Sequence, residues 1–342
     1  MKPRLRHVAE LAGVSQATVS RVLNEKPGVA EATHREVLRA LAQLGYEPTG
    51  MRPARRTQLV GLIVPELDNP VFPRFAQAIE SRLAGQGLTT VLCTSTPSGM
   101  GEADYLDVLL DHEVTGIVII SGTHADLAAD HSRYHDLVDH GVPTVLVNGD
   151  SPALGLPGVS VDHVDATRQA VRHLASLGHE RIGLSIGPRR YIQTGELVRG
   201  YLDGLHGAGL PADESLATET IYSIEGGHAA GTRLLDLGAT AVVCASDLMA
   251  LGVIRAVREH GKAIPGDVSV VGFDDAGPNA YVDPPLTSVQ QPIDAISAAV
   301  VKLLTDRIAD PSGPPPQLRF RPELVVRSST GAAPTRTATR DR

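Results

Sequence analysis

The sequence predicts an α/β protein: an N-terminal three-helix helix-turn-helix head, then two doubly wound parallel-sheet lobes. Three observations carry that prediction. Residues 7–24 show two helical periods broken by a glycine, apolar strands alternate with helices from Leu59 to Val147, and a second such series begins near Val159 and runs to Phe273.

In the first stretch Val8, Leu11 and Ala12 fall at i, i+3 and i+4, the spacing of one buried helix face. Gly13 can take the positive φ of a tight turn. Val19, Val22 and Leu23 repeat the apolar spacing, and Ser15 is the expected N-cap of this second helix. Its other face carries Gln16, Ala17, Thr18, Ser20 and Arg21, a polar surface suited to a major groove. A small helical hairpin with no nucleic-acid partner has the same spacing. A third helix is expected from about Glu31 to Leu44, with Leu38, Leu41 and Leu44 on one face and Gly45 as its C-cap. These helices define a head over residues 1–47. Residues 48–58 contain Pro48, Gly50 and Pro53 with Arg52, Arg55 and Arg56, the composition of a linker placed to track a phosphate backbone.

From Leu59 the chain alternates continuous apolar runs with helical stretches. The runs are Leu59 to Val64, Thr89 to Cys93, Gly116 to Ile120 and Thr144 to Val147, and then Arg181 to Ile186, Glu219 to Tyr222, Ala241 to Ala245 and Val268 to Phe273. Runs without polar alternation indicate strands covered on both faces, hence parallel sheets. In such sheets ligands bind at the carboxyl ends of the strands, and between two lobes they bind in the shared cleft. The tail, residues 331–342, is rich in Ala, Thr and Arg and is expected to be disordered.

Charge is segregated along the chain. Up to Thr57 there are 10 Lys and Arg against 5 Glu, a net of +5, whereas the whole chain carries −8, so the remainder carries −13. A basic head on an acidic body confines polyanion contact to the head. No apolar run reaches the ~18 residues of a membrane span and no signal segment opens the sequence, so a cytoplasmic protein is expected. Cys93 and Cys244 lie in apolar runs without metal-ligand spacing and read as inert core residues.

The segments VAELAGVSQATVSRVLN, KPGV, LGYEP, VGLIVPELDNPVF, GHERIG, ASDLMALG, VSVVGFDD and PPLTSVQQP stand in one order along the chain. With these motifs the chain resembles the LacI/GalR-type transcriptional regulators over nearly its whole length. The resemblance implies a DNA-binding head, a hinge and an effector-binding core (59–330) resembling periplasmic sugar-binding proteins, which dimerises. The chain would cross between lobes three times, giving lobe 1 about 59–160 and 291–318, and lobe 2 about 161–290 and 319–330. On DNA, the resemblance places Gln16 and Ala17 at base-reading positions on a pseudo-palindromic operator, where Gln can bond an adenine edge and Ala can meet a thymine methyl. Arg21 could reach a guanine, Thr18, Ser20 and Asn24 are assigned to the phosphate contacts that fix the helix, and Ser15 is counted among the DNA-binding residues. The hinge departs from the family pattern, because Arg55 falls where a minor-groove leucine is expected. An extended basic hinge carrying Arg52 and Arg55, with Met51 as substitute wedge, is the expectation.

The resemblance also implies an effector cleft bearing Asp68, Phe72, Asn148, Tyr222, Asp247 and Asp274. Asp247 could instead cap the helix it precedes, and Phe72 could be core. The family's ligand arginine does not align: Leu197 occupies its place, with Arg189, Arg190 and Arg199 nearby. Arg190 and Tyr191 are taken as candidates. Rings beside carboxylates suit a sugar or sugar derivative, and neither inducer nor corepressor logic follows from the residues. A sugar-binding protein without a regulatory role would share the lobes but have no use for a basic helical head. Catalysis has no support: His112, His124, His131, His135 and His140 crowd one region without metal-site spacing and read as helical surface residues, and no nucleophile elbow or phosphate loop appears. No cofactor and no metal are expected.

Overall fold

The computed structural model describes residues 5–23, 29–44, 58–95, 99–149 and 151–335. It divides into two compact units, residues 1–58 and 59–342.

The first unit holds α1 (Leu5–Leu11), α2 (Gln16–Leu23) and α3 (Glu31–Gln43). Val8 and Ala9 of α1, Val19 and Val22 of α2, and Val37, Ala40 and Leu41 of α3 make its core. Gly13 takes φ +64° between α1 and α2, a conformation that costs a Cβ-bearing residue steric energy. Two expected core positions differ: Leu11 is 50% exposed, Ala9 being buried in its stead, and Leu44 lies past the end of α3 and is exposed.

The second unit contains two six-stranded sheets. The chain runs through β1 (Leu59–Val64), α4 (Val71–Gly85), β2 (Thr89–Thr94), α5 (Glu102–Asp111), β3 (Gly116–Ile120), α6 (Ser132–Asp139), β4 (Thr144–Val147) and β5 (Gly158–Val161). It continues through α7 (His163–Ser176), β6 (Ile182–Ile186), α8 (Ile192–Gly207), β7 (Ala217–Glu219), α9 (Ile224–Asp236), β8 (Ala241–Cys244), α10 (Asp247–Glu259), β9 (Ser269–Asp274) and β10 (Thr287–Gln290). It ends with α11 (Ile293–Ala309), β11 (Gln317–Phe320) and β12 (Glu323–Val325). The strand orders are β11-β5-β4-β3-β1-β2 and β12-β10-β9-β8-β6-β7. All pairs are parallel except β10 with β12. Central strands such as β3 and β8 are buried at every position, which is why they read as unbroken Val, Ile and Leu.

Both sheets reverse direction next to their first strand, between β1 and β3 and between β6 and β8, so loops diverge there and leave a crevice at the strand ends. The chain passes between the sheets after β5, after β10 and after β11. α11 packs on α4, β3, β4 and β5, and β11 extends the first sheet beside β5.

Three expectations are corrected. The strand near Val159, read as opening the second series, is β5 and belongs to the first sheet, because its register pairs it with β4. The strand expected at Glu219 to Tyr222 is β7, and Tyr222 stands in the loop before α9. The tail expected to be disordered from Gly331 is docked as far as Ala333: Gly331 N donates to Ser269 Oγ (3.0 Å) and Ala333 N to Leu177 O (2.9 Å). Backbone hydrogen bonding, invisible in composition, decides that point.

Candidate functional site

In the head, Ser15 Oγ accepts a hydrogen bond from Thr18 N at 3.1 Å, capping α2. Ser15 Oγ and Thr18 Oγ1 also share a hydrogen bond of 2.9 Å, so the Thr18 hydroxyl is engaged in the cap. Burial of Val19 and Val22 turns the opposite face outward: Gln16, Ala17 and Arg21 are exposed, Thr18 and Ser20 half-buried. Asn24, Met51, Arg52 and Arg55 lie outside the described residues.

In the second unit, a cavity of about 210 Å³ lies at the carboxyl ends of the strands of both sheets. Glu66, Asn69 and Phe72 enter from the loop after β1 and the start of α4, Asn148 follows β4, and His163 follows β5. From the second sheet come Tyr191 and Gln193 after β6, Tyr222 after β7, Ser246 after β8, Phe273 and Asp274 at the end of β9, and Gln291 after β10. Phe72, Asn148, Tyr191, Tyr222 and Asp274 were expected in the cleft, and they share this cavity. Asp68, Arg190 and Asp247 do not line it.

Each of those three has a physical reason. Asp68 is exposed, and its charge helps push the Glu66 carboxyl up, after burial, which is the larger cause. Arg190 is exposed and pairs with Asp126 at 2.8 Å, its guanidinium 5.2 Å from the Tyr191 ring centroid. Asp247 is buried within the second sheet's helix layer and its oxygens are occupied: Ser288 Oγ donates at 2.6 Å, Asn279 Nδ2 at 2.7 Å and Ala276 N at 3.3 Å. Ser246 is the cap of α10, accepting from Met249 N at 3.2 Å.

Asp274 is the chemical centre of the cavity. It is 5% exposed with φ +109°, a backbone conformation unusual for a side-chain-bearing residue, which turns it out of the strand. Gln291 Nε2 donates to its Oδ1 at 2.7 Å. Burial, then the charge of Asp247, pushes its carboxyl well above the usual range, against hydrogen bonds from Gln291 and Asn69. Around it the amide oxygens of Asn148, Gln193 and Gln291 are buried with no protein hydrogen-bond partner. A buried acceptor left unsatisfied costs about 1–3 kcal/mol, so hydroxyl donors from a ligand would be worth that much at each. The Tyr222 hydroxyl shares a hydrogen bond with Thr194 Oγ1 at 2.8 Å, and burial pushes it up to about 12. His163 stacks on Phe273 with ring centroids 5.7 Å apart, and its Nδ1 donates to Glu196 at 3.2 Å.

Asn148 is itself held from behind. His124 Nε2 donates to Asn148 O at 2.8 Å, while Glu102 accepts from Thr123 N and from the Thr123 and Tyr134 hydroxyls. Burial pushes the His124 imidazole down, keeping it neutral. His124 was expected on a helical surface; it is fully buried because the turn after β3 folds inward against α6.

The acid pair gives a pH dependence with a definite sign. The Asp247 carboxyl is pushed up to about 6 by burial, against about 3.9 in an unfolded chain. The folded state therefore holds the proton more tightly, so this stabilisation is full below pH ~4 and is lost as pH climbs through about 6, on the order of 3 kcal/mol. Thermal denaturation from pH 4 to 7.5 should show the midpoint of the wild type falling relative to Asp247→Ala by about 6–12 °C. A constant difference between the two proteins would contradict it.

Comparison with known proteins agrees with both units. Residues 4–49 match the bacterial regulatory proteins of the lacI family, and residues 171–330 the periplasmic binding protein-like domain. The HTH-type transcriptional regulator MalR of Streptomyces coelicolor is 48% identical over 342 residues, covering 98% of each chain. The structure of a transcriptional regulator CelR–cellobiose complex aligns with TM-score 0.73 and 34% identity over 96% of this chain and 100% of that one. The lac repressor dimer bound to operator and the anti-inducer ONPF aligns with TM-score 0.73 and 27% identity, over 97% of this chain and 100% of that one. The relatives are regulators rather than enzymes, and among the described residues no helix is long and apolar enough to cross a membrane. With a helix-turn-helix head, two strand-end lobes and relatives aligned from end to end, the chain belongs to the LacI family of transcriptional regulators.

Proposed function

We propose that this regulator is a homodimeric repressor of a pseudo-palindromic operator, and that a sugar bound between the lobes changes its affinity for DNA. The observation that carries the effector reading is the set of three unpartnered amide oxygens beside the Asp274 carboxylate, in a cavity walled by Phe72, Tyr191, Tyr222 and Phe273. Acceptors grouped beside aromatic faces match a polyol, whose hydroxyls donate while its C–H face covers a ring. The sugar acts by favouring one closure of the lobes, and its effect is bounded by its differential affinity for the two states. A solute-binding protein without a regulatory role is not favoured, since the basic head would then have no ligand.

The DNA side rests on Gln16 and Ala17, exposed at the start of α2, with Arg21 one turn on. Selection of bound duplexes by the full-length protein, followed by fluorescence anisotropy with and without a saccharide panel, tests both halves. A symmetric site should emerge, and Gln16→Ala should weaken binding to it by about 1–3 kcal/mol while leaving the thermal midpoint unchanged. Binding that ignores sequence and varies only with salt would refute operator recognition. DNA affinity indifferent to every saccharide would refute the effector.

A further inference from the structure

The crossings after β5, β10 and β11 lie toward one end of the two sheets, whereas β3 and β6 stand fourth and fifth in their strand orders. There, away from the crossings, the loop after β3 meets the loop after β6. Leu127 N donates to Arg190 O at 2.8 Å, Asp126 faces Tyr191 in a single antiparallel bridge, and Arg190 Nε lies 2.8 Å from Asp126 Oδ2. Each loop is braced within its own layer. On one side Ala128 N donates to Asp126 Oδ1 at 2.9 Å and His131 Nε2 to Asp126 O at 3.0 Å. On the other, Arg189 N donates to Glu219 Oε1 at 3.1 Å and Tyr191 N to Pro188 O at 3.2 Å. Loops ordered in advance lose little freedom on meeting, so their contact is retained more fully as stabilisation. A second tie joins the layers, Arg74 Nη1 of α4 donating to Asp275 O after β9 at 3.0 Å. Both ties run from protein atom to protein atom, so neither depends on what the cavity holds.

We infer that the first of these ties is a latch: Asp126 and Leu127 engage Arg190 and Tyr191 and hold the loops of the two sheets together over the cavity before any effector arrives. An exposed ion pair alone would contribute little. Here the Asp126 side chain is only 13% exposed, a backbone hydrogen bond runs beside the pair, and the Arg190 guanidinium lies 5.2 Å from the ring centroid of Tyr191, which walls the cavity. Arg190 is thus a positioning residue for Tyr191 and not a ligand contact. The inference rests on the closure reading above and deepens it: an effector acts on an equilibrium that the chain already biases, and its differential affinity adds to the latch instead of supplying all of closure.

The test uses the full-length protein without saccharide, spin-labelled at His135→Cys on α6 and Asp203→Cys on α8. Both positions are exposed, while Cys93 and Cys244 are buried. Labelled chains are diluted with unlabelled ones, so that pulsed electron resonance reads distances within one chain. Arg190→Glu sets two carboxylates against each other across the latch. Adding Asp126→Asn removes that repulsion, since an amide oxygen there still accepts from Ala128 N and its NH2 can donate across the gap. The expected result is one dominant distance in the wild type, a longer-distance population at least about three-fold larger in Arg190→Glu, and its fall by about half or more in the double variant. Equal distributions in the wild type and Arg190→Glu, a wild type already dominated by the longer distance, or a shift that Asp126→Asn does not reverse overturns the latch. The reversal separates the latch from misfolding, because a fold lost through Arg190→Glu would not be regained by Asp126→Asn. No saccharide enters the measurement, so failure of the latch leaves the effector reading standing, and DNA affinity indifferent to every saccharide leaves the latch standing.

Discussion

Asp274→Ala should abolish the response to effector while leaving DNA binding intact. Its carboxylate is buried at the centre of the cavity and engaged by the protein through Gln291 and Asn69, so its remaining acceptor capacity faces the ligand. A hydrogen bond to a charged group contributes about 1.5–3 kcal/mol, and two sugar hydroxyls on one carboxylate correspond to a loss of at least about 100-fold in affinity. Folding should be little affected, because the variant also removes a carboxyl whose burial beside Asp247 is unfavourable. Anisotropy with the selected duplex would show DNA binding by the variant unchanged at saccharide concentrations that release or recruit the wild type. An unchanged response would remove Asp274 from the site, and lost DNA binding in the absence of sugar would mean that the residue acts through folding.

The largest stability effect is expected at the crossing of α9 and α10. A Cβ on Gly252 would collide with the backbone of Ile224 and His228, and one on Gly227 with the backbone of Met249. Neither obstacle is a side chain that can rotate away. Overpacking of a well-filled interior costs about 1–3 kcal/mol and more where backbone must move, so Gly252→Val should cost upward of 3 kcal/mol and lower the thermal midpoint by roughly 10 °C. Since Ser246 at the start of α10 lines the cavity, effector affinity should fall with it. Gly195→Ala in α8 is the control: nothing lies within 4 Å of an added Cβ, so a gain of about 0.5–1 kcal/mol from helix propensity is expected. Scanning calorimetry of the three proteins reads both signs. A Gly252→Val midpoint equal to the wild type would mean that the helices are not in backbone contact.

The parts legible in the sequence were those governed by period. Val19 and Val22 repeat at helical spacing, and Ile117 to Ile120 form an unbroken apolar run; both patterns follow directly from burial on one stripe or on two faces. Loops carry no such period, and the cleft is made of loops. Asp68 was chosen over Glu66 and Asn69 because the segment offers three polar residues within four positions and nothing in their order says which one turns inward. Gln193 and Gln291 were missed because a lone amide has no signature. Their importance is visible only when each oxygen is seen to lack a partner. His163 was hidden for another reason: at the first position of α7 it reads as a helix residue, and only the crossover after β5 brings its ring against Phe273. The place of Val159 depended on register, which a one-dimensional pattern does not carry.

The return of α11 and β11 to the first sheet also bears on how the chain is made. During synthesis the first lobe emerges early, yet the helix that covers β3 to β5 and the strand that finishes the sheet beside β5 leave the ribosome more than two hundred residues after β1. Until then the nascent chain presents an uncovered apolar sheet face, the kind of surface that chaperones hold and that aggregates when it waits too long. Neither lobe can mature as a free-standing early product, so the two reach completion together at the end of translation.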